Sequence, residues 1–131
     1  DANLENVAPA VILDVNQTTW PTVNADAVFS ANAVHIMSWP SVENMLRGVA
    51  NLLARSSHSP RLMCLYGPFN YDGNYTSESN AHFDQWLKNR DPESGIRHFE
   101  DICNLASGHS MHLQDDFEMP ANNRILVFRT D

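Results

Sequence analysis

The sequence predicts an α/β domain with a mostly parallel sheet that ends in an antiparallel hairpin. Apolar runs of strand length alternate along the chain with segments of helical periodicity. One such helical segment lies between two strand-like runs, and strands connected in this way are parallel, with a right-handed crossover. Near the C-terminus, two strand-like stretches are separated only by a short turn that begins at Pro120, which is typical of a hairpin.

The individual elements follow from the spacing of apolar residues. Residues 10–15 form a continuous apolar run, which is typical of a strand buried on both faces. The predicted strands are 10–15, 25–30, 61–66, 111–119 and 125–128, and the predicted helices are 41–55, 79–89 and 92–106.

Length and charge restrict the domain count and the partners. The 131 residues are expected to form a single domain over 1–131. Sixteen acidic residues against eight basic ones give a formal net charge of −8, which disfavours nucleic acid and anionic membranes as partners. No apolar run reaches the length of a membrane span, so a cytoplasmic protein is expected. The start at Asp1 leads us to expect a truncated chain, cut from a longer protein.

Polar residues gather where the predicted parallel strands end. They are Asp14 after the first strand, Ser30, Asn32 and His35 after the second, and Tyr66 after the third. Ligands of open α/β sheets bind at the carboxyl ends of the strands, so this pattern favours a small-molecule site. The alternative is that these side chains only satisfy backbone groups in turns.

The sequence lacks the signatures of metal and nucleotide sites. His109 and His112 lie on either side of Gly108, which is expected to end a helix, and no H-E-x-x-H or paired C-x-x-C pattern accompanies them. We therefore predict no metal site. The five glycines are too far apart for a glycine-rich phosphate loop.

Several motifs in this order are similar to those of a known family. They include Ser30-Ala31-Asn32, Tyr66-Gly67-Pro68-Phe69, Arg90-Asp91-Pro92, Gly95-Ile96-Arg97 and Met119-Pro120-Ala121-Asn122-Asn123. Together they cover essentially the whole chain. They resemble the uncharacterised class I methyltransferase-like family that includes methyltransferase-like protein 26.

The resemblance implies a fold and a cofactor. The fold is the three-layer Rossmann-like sheet of class I methyltransferases, and the cofactor is S-adenosylmethionine (SAM). This chain would supply the third to seventh strands and lack the first two strands. The glycine-rich loop and the acid that holds the ribose would be missing with them. We therefore expect the chain alone to bind SAM weakly or not at all and to be inactive.

The resemblance also implies roles for individual residues. Asp14, Ser30 and Asn32 would bind the cofactor, with Asp14 beside the adenine. Independently of the resemblance, the placement of His35 and Tyr66 at adjacent strand ends leads us to expect that one of them lies nearest the methyl acceptor, and both are catalytic candidates. Phe69, Asn80 and Asn122 would lie on the substrate side.

A non-enzymatic function is the alternative. A degenerate methyltransferase fold could serve as a module for protein association. Without the first two strands, strands 10–15 and 25–30 would have unpaired edges, and such edges seek partners. We therefore expect either rearranged strand pairing or a homodimer through the exposed edges. The methyl acceptor, a small molecule or another group, is not defined by the sequence.

Overall fold

The computed structural model describes residues 3–131, in which six strands and three helices form. The strands are β1 (Ala27–Ala31), β2 (Arg61–Gly67), β3 (Phe69–Asn70), β4 (Arg97–His98), β5 (His112–Met119) and β6 (Asn123–Thr130). The helices are α1 (Trp39–Ala54), α2 (Glu78–Arg90) and α3 (Phe99–Ser107). None of these helices combines the length and the apolar composition needed to cross a membrane.

The main sheet has the strand order β1-β2-β6-β5. β1 and β2 pair in parallel through the α1 crossover, as the sequence predicts, with Phe29 opposite Cys64. The predicted C-terminal hairpin is also confirmed, but β6 lies antiparallel between β2 and β5, so the main sheet is mixed and not mostly parallel as predicted. A second, two-stranded sheet joins β3 to β4 in parallel.

The apolar core lies on one face of the main sheet. Alternate residues of β2 and β6 point to this face and are fully buried, among them Met63, Leu65 and Phe128. They pack against α1, which buries six apolar side chains, and against α3 through Ile102. Both helices therefore cover the same side of the sheet.

The opposite face of the sheet corrects the prediction of a three-layer architecture. Its strand positions carry Phe29 and Phe117, which are 64% and 51% exposed. Residues 3–131 form two layers, because α1 and α3 pack on the core face alone. Part of the opposite face is therefore apolar and exposed, whereas Val127 on the same face is buried.

The predicted strand 10–15 is wrong within the described residues. This segment pairs with no strand there, and Ile12 is 94% exposed. A strand buried on both faces needs neighbouring strands and two covering layers. The apolar run has neither within residues 3–131, so it forms no strand there and is largely exposed to solvent.

The predicted helix 92–106 begins too early. The structure places an irregular turn and β4 before α3, which starts only at Phe99. Gly95 has φ +155°, a conformation that glycine adopts readily and that no helix contains. The other two helices start and end within two residues of their predicted bounds.

Candidate functional site

A concave groove of about 440 Å³ lies beyond the carboxyl ends of β1 and β2. Three separate parts of the chain form its wall: the residues just after these strands, the first turns of α2, and the turn of the β5–β6 hairpin. Its lining comprises Asn32, Pro68, Ser79, Asn80, Phe83, Ala121, Asn122 and Asn123. Parallel sheets place ligand sites at this position.

The loop after β1 is fixed to the end of β2. Asn32 adopts a left-handed backbone conformation (φ 54°), which asparagine tolerates better than most residues. Its backbone N–H donates to the Tyr66 carbonyl at 2.8 Å. The Tyr66 hydroxyl in turn accepts a hydrogen bond from Asn123 Nδ2 at 3.2 Å. These two hydrogen bonds connect the loop after β1, through Tyr66, to the hairpin turn.

His35 lies buried beside the groove, with only 3% of its surface exposed. Its ring meets the ring of Phe83 edge-on, with 5.5 Å between centroids. A methyl group on Gly67 would lie 3.6 Å from His35 Nδ1 and 3.8 Å from Asn32 Oδ1, so both side chains converge over this glycine. Nδ1 has no hydrogen-bond partner among the described residues.

Burial and the nearby Arg97 guanidinium lower the pKa of His35 below its usual value. Both effects disfavour the imidazolium, the first by desolvation and the second by charge repulsion. His35 is therefore a neutral imidazole at pH 7 and has a nitrogen free to accept a proton or a hydrogen bond.

Arg97 holds the loop that carries His35. Its Nε donates to the Val34 carbonyl at 3.2 Å, and its guanidinium also donates to the carbonyls of Met37 and Glu93. The Gly95 N–H donates to the His35 carbonyl at 2.9 Å. Short strand β4 and the turn before it therefore fix the segment after β1.

Asp84 fixes α2 against the same turn. Its buried carboxylate accepts hydrogen bonds from the Ile96 N–H at 2.8 Å, from Lys88 Nζ at 2.9 Å and from the Tyr75 hydroxyl. Burial alone would raise the pKa of Asp84, but these three donors outweigh it and the pKa is lowered. The ionised carboxylate orients α2, so that Phe83 faces the groove.

The structure brings together many of the sequence-predicted site residues. Asn32, Asn80 and Asn122 line the groove, and His35 and Tyr66 border it through the contacts above. Ser30, in β1, is half-buried and does not line the groove.

Two other candidates lie elsewhere. Phe69 is fully buried in the core and presents no surface to a ligand. Asp14 is exposed, and its carboxylate caps the turn at Asn16. Asn16 in turn contacts Ser41 and Asn44 of α1.

Sequence reasoning did not assign a site role to Phe83, Asn123 or Arg97. Phe83 lies within the predicted helix 79–89, and the sequence carries no signal that this aromatic side chain meets a groove. Asn123 follows Asn122 in the hairpin turn, where two asparagines after a proline predict only a tight connection. Arg97 acts on a loop about 60 residues earlier in the chain, and no sequence pattern gives that distance.

The described residues do not fit SAM as a whole. The groove offers amide groups and an aromatic ring, but among residues 3–131 no carboxylate lines it to accept the ribose hydroxyls. The chain also has no glycine-rich turn. We therefore assign no catalytic step through the cofactor. Within the same range, no group of three or more His, Cys, Asp or Glu side chains is placed to hold a metal ion.

Comparison with known families gives a match over nearly the whole chain. The profile of a family described as "Protein of unknown function (DUF938)" matches residues 1–130.

Solved methyltransferase structures share the fold. An O-methyltransferase family 2 protein from Planctomyces limnophilus, solved with apigenin, superposes with a TM-score of 0.73 at 13% identity over 85% of this chain and 32% of its own. Human N-acetylserotonin methyltransferase, solved with SAM, gives 0.72 at 12% identity over 86% and 31%. An O-methyltransferase family protein from Burkholderia thailandensis gives 0.68 at 11% identity over 82% and 31%.

These similarities show the fold of class I SAM-dependent O-methyltransferases. The chain spans about a third of the length of the solved structures that it matches.

The lowered pKa of His35 predicts a pH dependence of stability. Between the folded and unfolded pKa values the unfolded chain binds more protons, so the free energy of unfolding falls as the pH drops through about 6.5. The slope contributed by one such group is at most about 1.4 kcal/mol per pH unit. The fall levels off once the folded protein is also protonated.

Urea titrations between pH 5 and pH 8 measure this slope. His35→Gln should remove its histidine component, whereas His82→Gln, at an exposed position of α2, should keep it. An unchanged slope in His35→Gln would show that His35 is protonated equally in both states.

Proposed function

This chain belongs to the DUF938 family of proteins of unknown function, and we propose that it forms the acceptor-side, C-terminal part of a SAM-dependent methyltransferase. The observation that carries the proposal is the groove at the carboxyl ends of β1 and β2, in a chain with a methyltransferase fold. The resemblance of its motifs to the family that includes methyltransferase-like protein 26 supports the same function.

In this proposal the chain binds and orients the methyl acceptor. Methyltransferases take the methyl group from the sulfonium of SAM, so the protein mainly aligns the acceptor and excludes water. The groove can orient an acceptor, because its lining combines amide side chains with the ring of Phe83. Parts of the protein outside residues 1–131 would hold the rest of the cofactor.

His35 and Tyr66 are the proposed catalytic candidates. His35 is a neutral base whose Nδ1 is free, and it would serve only an acceptor that must lose a proton. Because Nδ1 is buried, a proton from the acceptor would reach it only after a small movement of the groove wall, or through another group that lies between the acceptor and Nδ1. The Tyr66 hydroxyl, held by Asn123, would orient the acceptor.

Binding of S-adenosylhomocysteine (SAH), the demethylated cofactor, tests the proposal. Calorimetry should detect no micromolar binding to the 131-residue chain, because the glycine-rich loop is absent from it. A longer protein translated from the coding sequence upstream of Asp1 should bind SAH in the micromolar range. In that protein Asn32→Gly keeps the left-handed backbone and removes the amide, and it should weaken binding about three- to tenfold.

Asn104→Gly, at an exposed position of α3, is the matched control and should leave SAH affinity unchanged. Micromolar binding to the 131-residue chain would contradict our assignment of the missing loop. Failure of the longer protein to bind SAH even at millimolar concentration would contradict the methyltransferase proposal itself.

A module for protein association is the second candidate function. The open edge of the main sheet at β1 favours it. β1 is an edge strand that carries no charged residue between Ala27 and Ala31, and Phe29 is exposed on its outer face. Uncharged open edges pair readily with other strands. The proposed partner is a second copy, whose β1 would continue the sheet in antiparallel orientation about a twofold axis.

Light scattering over a concentration range tests this second candidate. The wild-type chain should change from monomer to dimer as its concentration rises, and Phe29→Lys should remain monomeric because it places a charge at the pairing edge. Trp86→Lys changes another exposed aromatic residue, on α2, and should dimerise like the wild type. A wild-type chain that stays monomeric at all concentrations would exclude the dimer.

A further inference from the structure

We infer that the groove selects a methyl acceptor that presents N–H or O–H donors and carries no negative charge. The inference rests on the proposed function and defines the substrate class for the same groove. It follows from the hydrogen bonds that the asparagines of the groove already make within the protein.

Asn80 uses both of its amide hydrogens inside the protein. Its Nδ2 donates to Thr76 Oγ1 at 3.0 Å and to the backbone carbonyl of Asn122 at 3.4 Å. A carbonyl oxygen can only accept, so this partner determines which end of the Asn80 amide is nitrogen. The remaining group of this side chain is its oxygen, Oδ1.

Asn123 repeats the arrangement on the opposite side of the hairpin turn. Its Nδ2 donates to the Tyr66 hydroxyl at 3.2 Å and to the Pro120 carbonyl at 3.3 Å. The Pro120 carbonyl again fixes the orientation of the amide. Both hydrogens are occupied and only Oδ1 is available.

The two free oxygens belong to residues that line the groove. Neither accepts a hydrogen bond from any of the described residues, and neither is sealed from solvent. The other asparagine of the turn, Asn122, uses one hydrogen of its Nδ2 in a bond to Ser79 Oγ at 3.3 Å. The amides of Asn80 and Asn123 are therefore turned so that only their acceptors are free.

The charge of the lining agrees with this polarity. Among the described residues that form the groove, none is acidic or basic. An anion would meet the amide oxygens of Asn80 and Asn123, no cation among the lining residues, and a chain with a formal charge of −8. A donor-rich neutral group would satisfy the free oxygens, and the ring of Phe83 offers a face for a flat molecule.

Matched small aromatic probes test this selectivity directly. Benzamide carries two N–H donors, N,N-dimethylbenzamide is also neutral but has none, and benzoate is an anionic acceptor. Each is titrated into the 15N-labelled 131-residue chain while its NMR amide signals are recorded. Benzamide should shift the side-chain signals of Asn80, Asn122 and Asn123, with at least threefold tighter binding than the dimethyl compound and no detectable binding of benzoate.

Two variants assign the effect to the groove. Asn123→Leu removes one free acceptor and should weaken benzamide binding about three- to tenfold. Asn104→Leu, at an exposed position of α3, should leave it unchanged. The same spectra show whether each variant remains folded, and if Asn123→Leu does not, the comparison of benzamide with its dimethyl analogue in the wild-type chain decides.

Equal binding of benzamide and N,N-dimethylbenzamide, tighter binding of benzoate, or shifts confined to residues outside the groove would each overturn the inference. These outcomes are independent of the cofactor. A longer protein that fails to bind SAH contradicts the methyltransferase proposal, whereas the probe titration reports only on what the groove accepts.

Discussion

The hydrogen bonds from Arg97 to the carbonyls of the loop after β1 are the interaction on which the groove depends. The loop leaves the sheet at Asn32, whose N–H donates to the Tyr66 carbonyl, and a single backbone turn that closes on the Ala33 carbonyl precedes α1. The guanidinium donates to Val34 and Met37, and the Gly95 N–H donates to His35. Hydrogen bonds from a charged donor are among the stronger ones in proteins. They hold the buried imidazole beside Gly67 and keep Asn32 at the edge of the groove.

Asp84 extends this constraint to the other wall. Its carboxylate binds the N–H of Ile96, next to Arg97, and so ties α2 to the same turn. The hairpin turn is then attached to α2 by Asn80 and to β2 by Asn123. The hydrogen bonds of Asn80 and Asn123 that hold the groove together also use all of their amide hydrogens. The side-chain oxygens of these two residues are therefore left as free acceptors.

The sequence predicted the elements whose signals are local. The parallel pair β1–β2 and the C-terminal hairpin follow from periodicity, and polar residues at strand ends, together with the family resemblance, led to Asn32, Asn80 and Asn122. The prediction of strand 10–15 was wrong because a buried strand needs neighbours that residues 3–131 do not supply. The prediction that the third helix starts at residue 92 was wrong because Gly95 adopts a backbone conformation that no helix contains. Arg97 was missed because its partners lie about 60 residues away.

Hydrogen exchange at the Gly95 amide tests the role of Arg97 most directly. This amide donates to the His35 carbonyl, so it exchanges when the loop and the turn separate. In Arg97→Gln it should exchange at least tenfold faster, since lost charged hydrogen bonds cost about 1.5–3 kcal/mol each. Phe128→Leu, a core variant, should accelerate the Leu65 amide and leave Gly95 unchanged. An unaltered Gly95 rate in Arg97→Gln would contradict the account.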